Sequence, residues 1–248
     1  MRNAITTTKS LVRFNSEEVL MIFLYAILIG FIFSFRSWGD PFSYIVGLSN
    51  WLYFGALGFI VTLSIIFIQK VIGAHSGIIP TFRITSIYFI ISLVIVFLTS
   101  GLITFFLPPG FTTSENKRMM LGRTRYKEAF SDYLRLGFGG IVACVFLGIF
   151  FSFAFFPERL MALSSLFFLY AFYSLIPIDL LLSWQDKTTG VSNGMAILYP
   201  SRSTYVFCLV FIFAGYILSY TRTIFFSIIF SILIALFVSI MWFLKKEK

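Results

Sequence analysis

The chain has 248 residues, of which 59% are hydrophobic and 12% are charged, and its mean hydropathy is +0.95. A soluble domain carries about 25% charged residues, so this chain has too few to cover a water-facing surface, and its excess apolar area must face lipid. The net charge of +9 indicates basic loops beside a membrane rather than nucleic-acid binding, because most Lys and Arg residues flank apolar segments.

Seven long apolar runs follow one another along the chain. They cover residues 19–35, 51–72, 84–107, 136–156, 160–184, 203–220 and 224–244. A spanning helix needs about 20 mostly apolar residues, whereas a membrane β-barrel shows short alternating strands. We therefore predict an all-α, polytopic transmembrane helix bundle with about six or seven spanning helices. Residues 1–248 would form a single integral membrane domain, multi-pass in the cell (cytoplasmic) membrane, in contact with membrane lipids.

Polar signals mark the ends of several runs. The first run is entered through Asn15-Ser16-Glu17-Glu18, which predicts a helix N-cap followed by acids in the first turn. This run begins late and is long enough to span, so we expect no cleavable signal peptide. The third run stops at Pro108-Pro109-Gly110, and the sequence leaves open whether this run spans or folds back.

Basic residues are unequally divided between the two sides of the predicted bundle. If all seven runs span, the side of the N-terminus holds seven Lys and Arg residues and the other side holds twelve. This division favours a cytoplasmic C-terminus and a cytoplasmic polar segment 111–135, although one re-entrant run would reverse every later side. Five residues of the polar segment are candidates for contact with anionic lipid or with the cytoplasm: Lys117, Arg118, Arg123, Arg125 and Lys127.

Few residues in the chain are suited to catalysis. The single histidine, His75, lies in the short polar link 73–83, where we expect it to be solvated, and Cys144 and Cys208 lie inside apolar runs, where we expect buried thiols. No glycine-rich phosphate loop is present, and we predict no cofactor. Asp179, two residues after the helix-breaking Pro177, is an intramembrane carboxylate. It either reaches the interface, pairs with a basic neighbour, or has a function.

Several short motifs occur in a fixed order along residues 14–185. They are Phe14-Asn15-Ser16-Glu17-Glu18, Lys70 followed by Ala74, Gly77, Phe82 and Arg83, Pro109-Gly110, the glycine-rich helix start Gly137–Gly140, and Ser174-Leu175-Ile176-Pro177-Ile178-Asp179-Leu180-Leu181-Leu182-Ser183. This order resembles the site-2-protease-type membrane metallopeptidases of archaea. In that family the corresponding motifs are F-S-x-x-E, Lys after H-E-x-x-H, A-x-x-x-G-x-x-x-x-F-R, P-G, a glycine-rich helix start, and N-L-I-P-x-x-P-L-D-G.

The resemblance implies a zinc site whose ligands are missing here. Counted back from Lys70, the H-E-x-x-H positions fall on Ile65, Ile66, Phe67, Ile68 and Gln69, and the aspartate of L-D-G falls on Leu182. Both histidine ligands, the general-base glutamate and the third ligand are therefore replaced. Without ligands there is no metal to activate a water molecule. The resemblance thus implies a pseudoprotease with no catalytic residues and no bound metal.

The leading hypothesis is a non-catalytic scaffold or subunit of a membrane complex that binds other transmembrane proteins. Its candidate partner or substrate-groove residues are Asp179, Pro177, Lys70, Phe82 and Arg83. Two alternatives are a small transporter or channel component that uses Asp179 in a Pro-broken helix, and an active membrane protease with an unrecognised site. The last alternative is a lipid-modifying enzyme that works through the basic segment, for which no nucleophile–base pair is evident.

Overall fold

A computed structural model describes residue 12 and residues 14–39, 42–76, 78–84, 86–115, 130–153, 158–177, 191–221 and 223–246. Within these residues the chain forms eight helices and two strands. In chain order they are α1 (Ser16–Ser34), α2 (Tyr44–Ser76), β1 (Ile78–Arg83), α3 (Ser86–Leu98), β2 (Gly110–Glu115), α4 (Phe130–Phe151), α5 (Glu158–Leu175), α6 (Asn193–Leu198), α7 (Arg202–Ser219) and α8 (Ile224–Lys246).

Five of these helices, α1, α2, α4, α7 and α8, are long and apolar enough to cross a membrane, and α3 and α5 are shorter apolar helices. This confirms the predicted class, a mostly helical, multi-pass membrane protein. The predicted N-cap is also confirmed, because the backbone N–H of Asn15 donates to Glu18 Oε2 at 2.9 Å.

The observed boundaries differ from the predicted ones where polar residues continue a helix. The predicted polar link 73–83 contains the last turn of α2 and all of β1, and α4 begins at Phe130, within the predicted polar segment. Polar residues at a helix end lower the hydropathy without interrupting the helix, since end residues can face water or other polar groups.

The third apolar run is not one continuous helix. It contains α3, whose 13 residues rise about 20 Å, less than the roughly 30 Å of a bilayer core. Ser100 and Gly101, with φ of 49° and 71°, end the helix in a turn, and the chain returns without regular secondary structure through residues 102–109. Since β1 pairs antiparallel with β2 and Arg83 lies opposite Gly110, the run starts and finishes at the same end of the bundle.

The second half of the returning segment, residues 106–109, is buried although it is not helical. Phe106 and Leu107 are 0% and 2% exposed. The N–H of Leu107 donates to Ser92 Oγ at 3.0 Å, and Tyr173 Oη donates to the carbonyl oxygen of Thr104 at 3.2 Å. Pro108 and Pro109 follow, and a proline has no N–H that needs an acceptor. Side-chain partners and prolines therefore reduce the cost of irregular backbone inside the bundle.

The main core lies between α1, α2, α4, α5 and α7. The ring of Tyr25 in α1 makes edge-to-face contacts with the rings of Phe106 and Tyr170, and all three residues belong to this core. Cys144 and Cys208 are both buried and free, as predicted. Helix α8 lies at the periphery of the bundle, because only 17% of the residues in its most apolar stretch are buried.

Candidate functional site

Lys70, in the interior of α2, forms a buried ion pair with Glu18 in the first turn of α1. The two side chains are 2% and 3% exposed, and Lys70 Nζ lies 2.9 Å from Glu18 Oε2. An unpaired ammonium group in such a place costs several kcal/mol in lost hydration, so the position of the lysine requires the glutamate. The pair ties the start of α1 to the end of α2.

Glu18 is also bound to two backbone groups. Its Oε1 accepts the N–H of Phe82 in β1 at 3.0 Å, and its Oε2 accepts the N–H of Asn15. Lys70 Nζ in turn lies 5.1 Å from the centroid of the Phe14 ring, within the range of a cation–π contact. Helix α1, helix α2 and strand β1 are therefore joined through one carboxylate.

Gln69, the residue before Lys70, points to the other side of α2. Successive residues of an α-helix differ in direction by about 100°, so Gln69 faces α4 and α6 while Lys70 faces α1. Gln69 Nε2 donates to Asn193 Oδ1 at 2.8 Å and is 3.4 Å from the carbonyl oxygen of Leu136. Gln69 and Asn193 are 6% and 5% exposed. We call this contact the amide pair.

Three glycines provide the room that the amide pair needs. A Cβ at Gly140 would lie 2.7 Å from Gln69 Nε2, and a Cβ at Gly137 would lie 3.0 Å from the carbonyl oxygen of Asn193. A Cβ at Gly194 would collide with the carbonyl group of Leu175. Gly137–Gly140 were predicted to start a helix, but they lie inside α4, which begins at Phe130. These glycines and the Asn193-Gly194 sequence allow α2, α4, α5 and α6 to approach closely.

We expect the substitution Gly194→Ala to lower the free energy of unfolding by about 1–3 kcal/mol, because overpacking forces backbone to move. Denaturant titration in mild detergent measures this loss. The matched control is Gly55→Ala in α2, where the nearest atom to a new Cβ is 3.5 Å away, an ordinary contact. Equal stability of the two variants would contradict the close packing at Gly194.

Two recesses lie near these helices. A cavity of about 10 Å³, room for about one water molecule, adjoins Asn193, Ser192, Tyr173 and Pro108. An open groove of about 250 Å³ lies between α5 and α7 and is lined almost entirely by apolar side chains, including Phe172.

The structure brings together only some of the residues predicted from the sequence. Lys70 and Phe82 meet through Glu18, and Arg83 is exposed beside them. Pro177 lies two residues after the end of α5. His75 is exposed, as predicted. Several predicted residues lie outside the described part of the chain: Asp179, Leu182, Lys117, Arg118, Arg123, Arg125 and Lys127.

Two important residues were not recognised as site residues from the sequence. The sequence predicts Glu18 only as a first-turn acid and as part of the motif at Phe14 to Glu18, although a lysine inside an apolar run requires a buried acid somewhere else in the chain. The sequence around Asn193 gives only an Asn-Gly turn signal. Neither signal identifies the partner residue without the fold.

Among the described residues, no three His, Cys, Asp or Glu side chains lie close enough to hold one metal ion. Comparison of the chain with protein-family models, with curated proteins and with solved structures finds no match.

Proposed function

We propose that this protein is a non-catalytic relative of the site-2-protease-type metallopeptidases, and that it binds a transmembrane segment of a partner without cleaving it. The observation that carries the proposal is the amide pair. Gln69 occupies the position of the second zinc-binding histidine, and its side chain meets a residue that comes from a distant part of the chain.

The convergence of separate motifs supports the relationship. Two short sequences that resemble the family, one at Phe14 to Glu18 and one from Lys70 to Arg83, are separated along the chain, and Lys70 lies 52 residues from Glu18. Their side chains or backbone meet around a single carboxylate. Chance matches in a hydrophobic sequence have no reason to lie together in space.

The partner of Gln69 also supports a changed assignment of the third ligand position. Counting along the sequence motif places the aspartate of L-D-G on Leu182, which lies outside the described residues. Asn193-Gly194, at the start of α6, keeps the glycine and replaces the aspartate by its amide. We therefore assign the third position to Asn193 rather than to Leu182.

The residues at the three ligand positions do not fit zinc. Zinc in proteins is bound by Cys, His, Asp or Glu, whereas these positions hold Ile65, Gln69 and Asn193. The Gln69 amide already donates to the Asn193 oxygen, so each satisfies the other without a metal. Ile66, at the general-base position, has no titratable group.

The described residues do not favour an unrecognised protease site. Glu18 is the buried carboxylate closest to α2 in the described part of the chain, and it is occupied by Lys70 and by two backbone N–H groups. A general base must be able to accept a proton from water or substrate. The transport alternative depends on Asp179, outside the described residues, and stays a prediction.

Metal analysis of the purified wild-type chain tests the non-catalytic half of the proposal. We expect no stoichiometric zinc after purification in zinc-containing buffer, because neutral amides and isoleucine bind it poorly. One zinc per chain that is removed by a chelator would contradict the proposal.

Photocrosslinking in native membranes tests the binding half. We assign the partner segment to the apolar groove between α5 and α7, so a photoreactive phenylalanine analogue at Phe172 should form one discrete adduct with another membrane protein. The matched control is the same analogue at Phe237, which is 65% exposed on α8. Equal adducts at both positions, or none at Phe172, would contradict this assignment.

A further inference from the structure

Contacts between helices show which helix termini share one end of the bundle. The start of α1 meets the end of α2 through Glu18 and Lys70, and Gln69 near the end of α2 meets Leu136 near the start of α4. The amide pair places the start of α6 at the same end. We call this the first end.

The opposite end is defined in the same way. Near the end of α4, the carbonyl oxygen of Gly148 accepts the hydroxyl of Ser164, in the first half of α5. Helix α7 runs in the same direction as α4, since the rings of Phe207 and Phe138 are in contact and, two turns further along both helices, a Cβ at Gly215 would meet Val145. Ser227 at the start of α8 donates to the carbonyl oxygen of Leu218 at the end of α7. We call this the second end.

The number of crossings follows from these directions. Helices α1, α2, α4, α7 and α8 each run from one end to the other. Helix α5 does so as well, since its 18 residues rise about 27 Å, as many as in α7. The third apolar run contributes no net crossing, because Arg83 and Gly110 are paired in the sheet and both lie at the first end. Six crossings place the start of α1 and the end of α8 at the same end.

This path divides the charge much more unequally than seven crossings would. Counted along the sequence, the stretches and helix termini that this path assigns to the second end contain Arg36, Arg159 and Arg222. The stretches and helix termini that it assigns to the first end contain fifteen basic residues: Arg2, Lys9, Arg13, Arg83, Lys117, Arg118, Arg123, Arg125, Lys127, Arg135, Lys187, Arg202, Lys245, Lys246 and Lys248. Lys70 is neutralised by Glu18 and is not counted.

We propose that the chain crosses the membrane six times, with the first end, which includes the start of α1 and the end of α8, on the cytoplasmic side. Lys and Arg near helix ends are retained on that side, where the leaflet is anionic. Arg83, Arg135 and Arg202 are exposed at this end and available to phosphate headgroups. The amide pair and the ion pair then lie in the cytoplasmic half of the bilayer. The proposal is independent of the proposed function.

Single introduced cysteines test this topology in the full-length chain, because native Cys144 and Cys208 are 1% and 0% exposed. The variants are Ser16→Cys before the first crossing, Ser37→Cys after it, and Thr221→Cys between α7 and α8. A membrane-impermeant maleimide is applied to intact cells. We expect labelling of Ser37→Cys and Thr221→Cys, and loss of labelling of Ser16→Cys until the membrane is permeabilised.

Six and seven crossings predict opposite labelling of Thr221→Cys relative to Ser16→Cys. Six crossings put residues 16 and 221 on opposite sides, whereas seven put them on the same side, and residue 37 is opposite residue 16 in both. Labelling of Thr221→Cys together with Ser16→Cys would overturn the six crossings. Labelling of Ser16→Cys alone in intact cells would overturn the orientation. Equal labelling of all three in detergent checks that each variant is folded and reactive.

Discussion

Replacing Lys70 with methionine is expected to lower the free energy of unfolding by about 3–5 kcal/mol. The methylene groups keep much of the packing, but the ammonium group is lost, and Glu18 keeps a charge at a site where its side chain is 3% exposed. The hydrogen bond from Phe82 to that carboxylate is then also weakened as Glu18 moves. Denaturant titration in mild detergent measures the change.

Two controls separate the buried charge from a general effect of mutation. Removing both charges with Glu18→Gln and Lys70→Met should restore most of the stability, because no uncompensated charge remains buried. Arg135→Ala breaks the ion pair with Asp132, in which the Arg135 side chain is 62% exposed. This variant should lower the free energy of unfolding by at most about 1 kcal/mol. If Lys70→Met costs no more than Arg135→Ala, the ion pair does not stabilise the fold as we infer.

Restoring the three missing ligands is expected to create a zinc site where the wild-type chain has none. The combined variant Ile65→His, Gln69→His and Asn193→Asp places two histidines one helical turn apart, the i and i+4 spacing that binds zinc in H-E-x-x-H. Gln69 and Asn193 are already in contact, so an aspartate at 193 can reach the same ion. We expect one zinc per chain after desalting, lost on chelation, and a zinc-dependent rise in melting temperature.

A second variant tests whether position matters as well as residue type. Leu63→His and Phe67→His, combined with Asn193→Asp, keep the same helical spacing but lie on the opposite face of α2, where Phe67 is 49% exposed. This variant should retain much less zinc. If the two variants bind zinc equally, or if the folded first variant binds none, then Gln69 and Asn193 do not correspond to ligand positions of the metallopeptidases.

The sequence determined those properties that depend on local composition. Charge content and run length predicted a helical, multi-pass membrane protein, and the Asn15 to Glu18 entry predicted the N-cap region where α1 begins, at Ser16. Burial of both cysteines and exposure of His75 also followed from their surroundings in the chain. Each of these depends on residues within a few helical turns.

The tertiary structure alone decided the course of the third apolar run and the partners of Lys70 and Gln69. A run buried among other helices has the same hydropathy as one that faces lipid. The sequence therefore leaves open whether 84–107 spans or folds back, and the pairing of its two ends shows that it folds back. Glu18 and Asn193 lie 52 and 124 residues from their partners. Such contacts arise because a buried polar group needs a complementary one, and only the fold determines which residue is within reach.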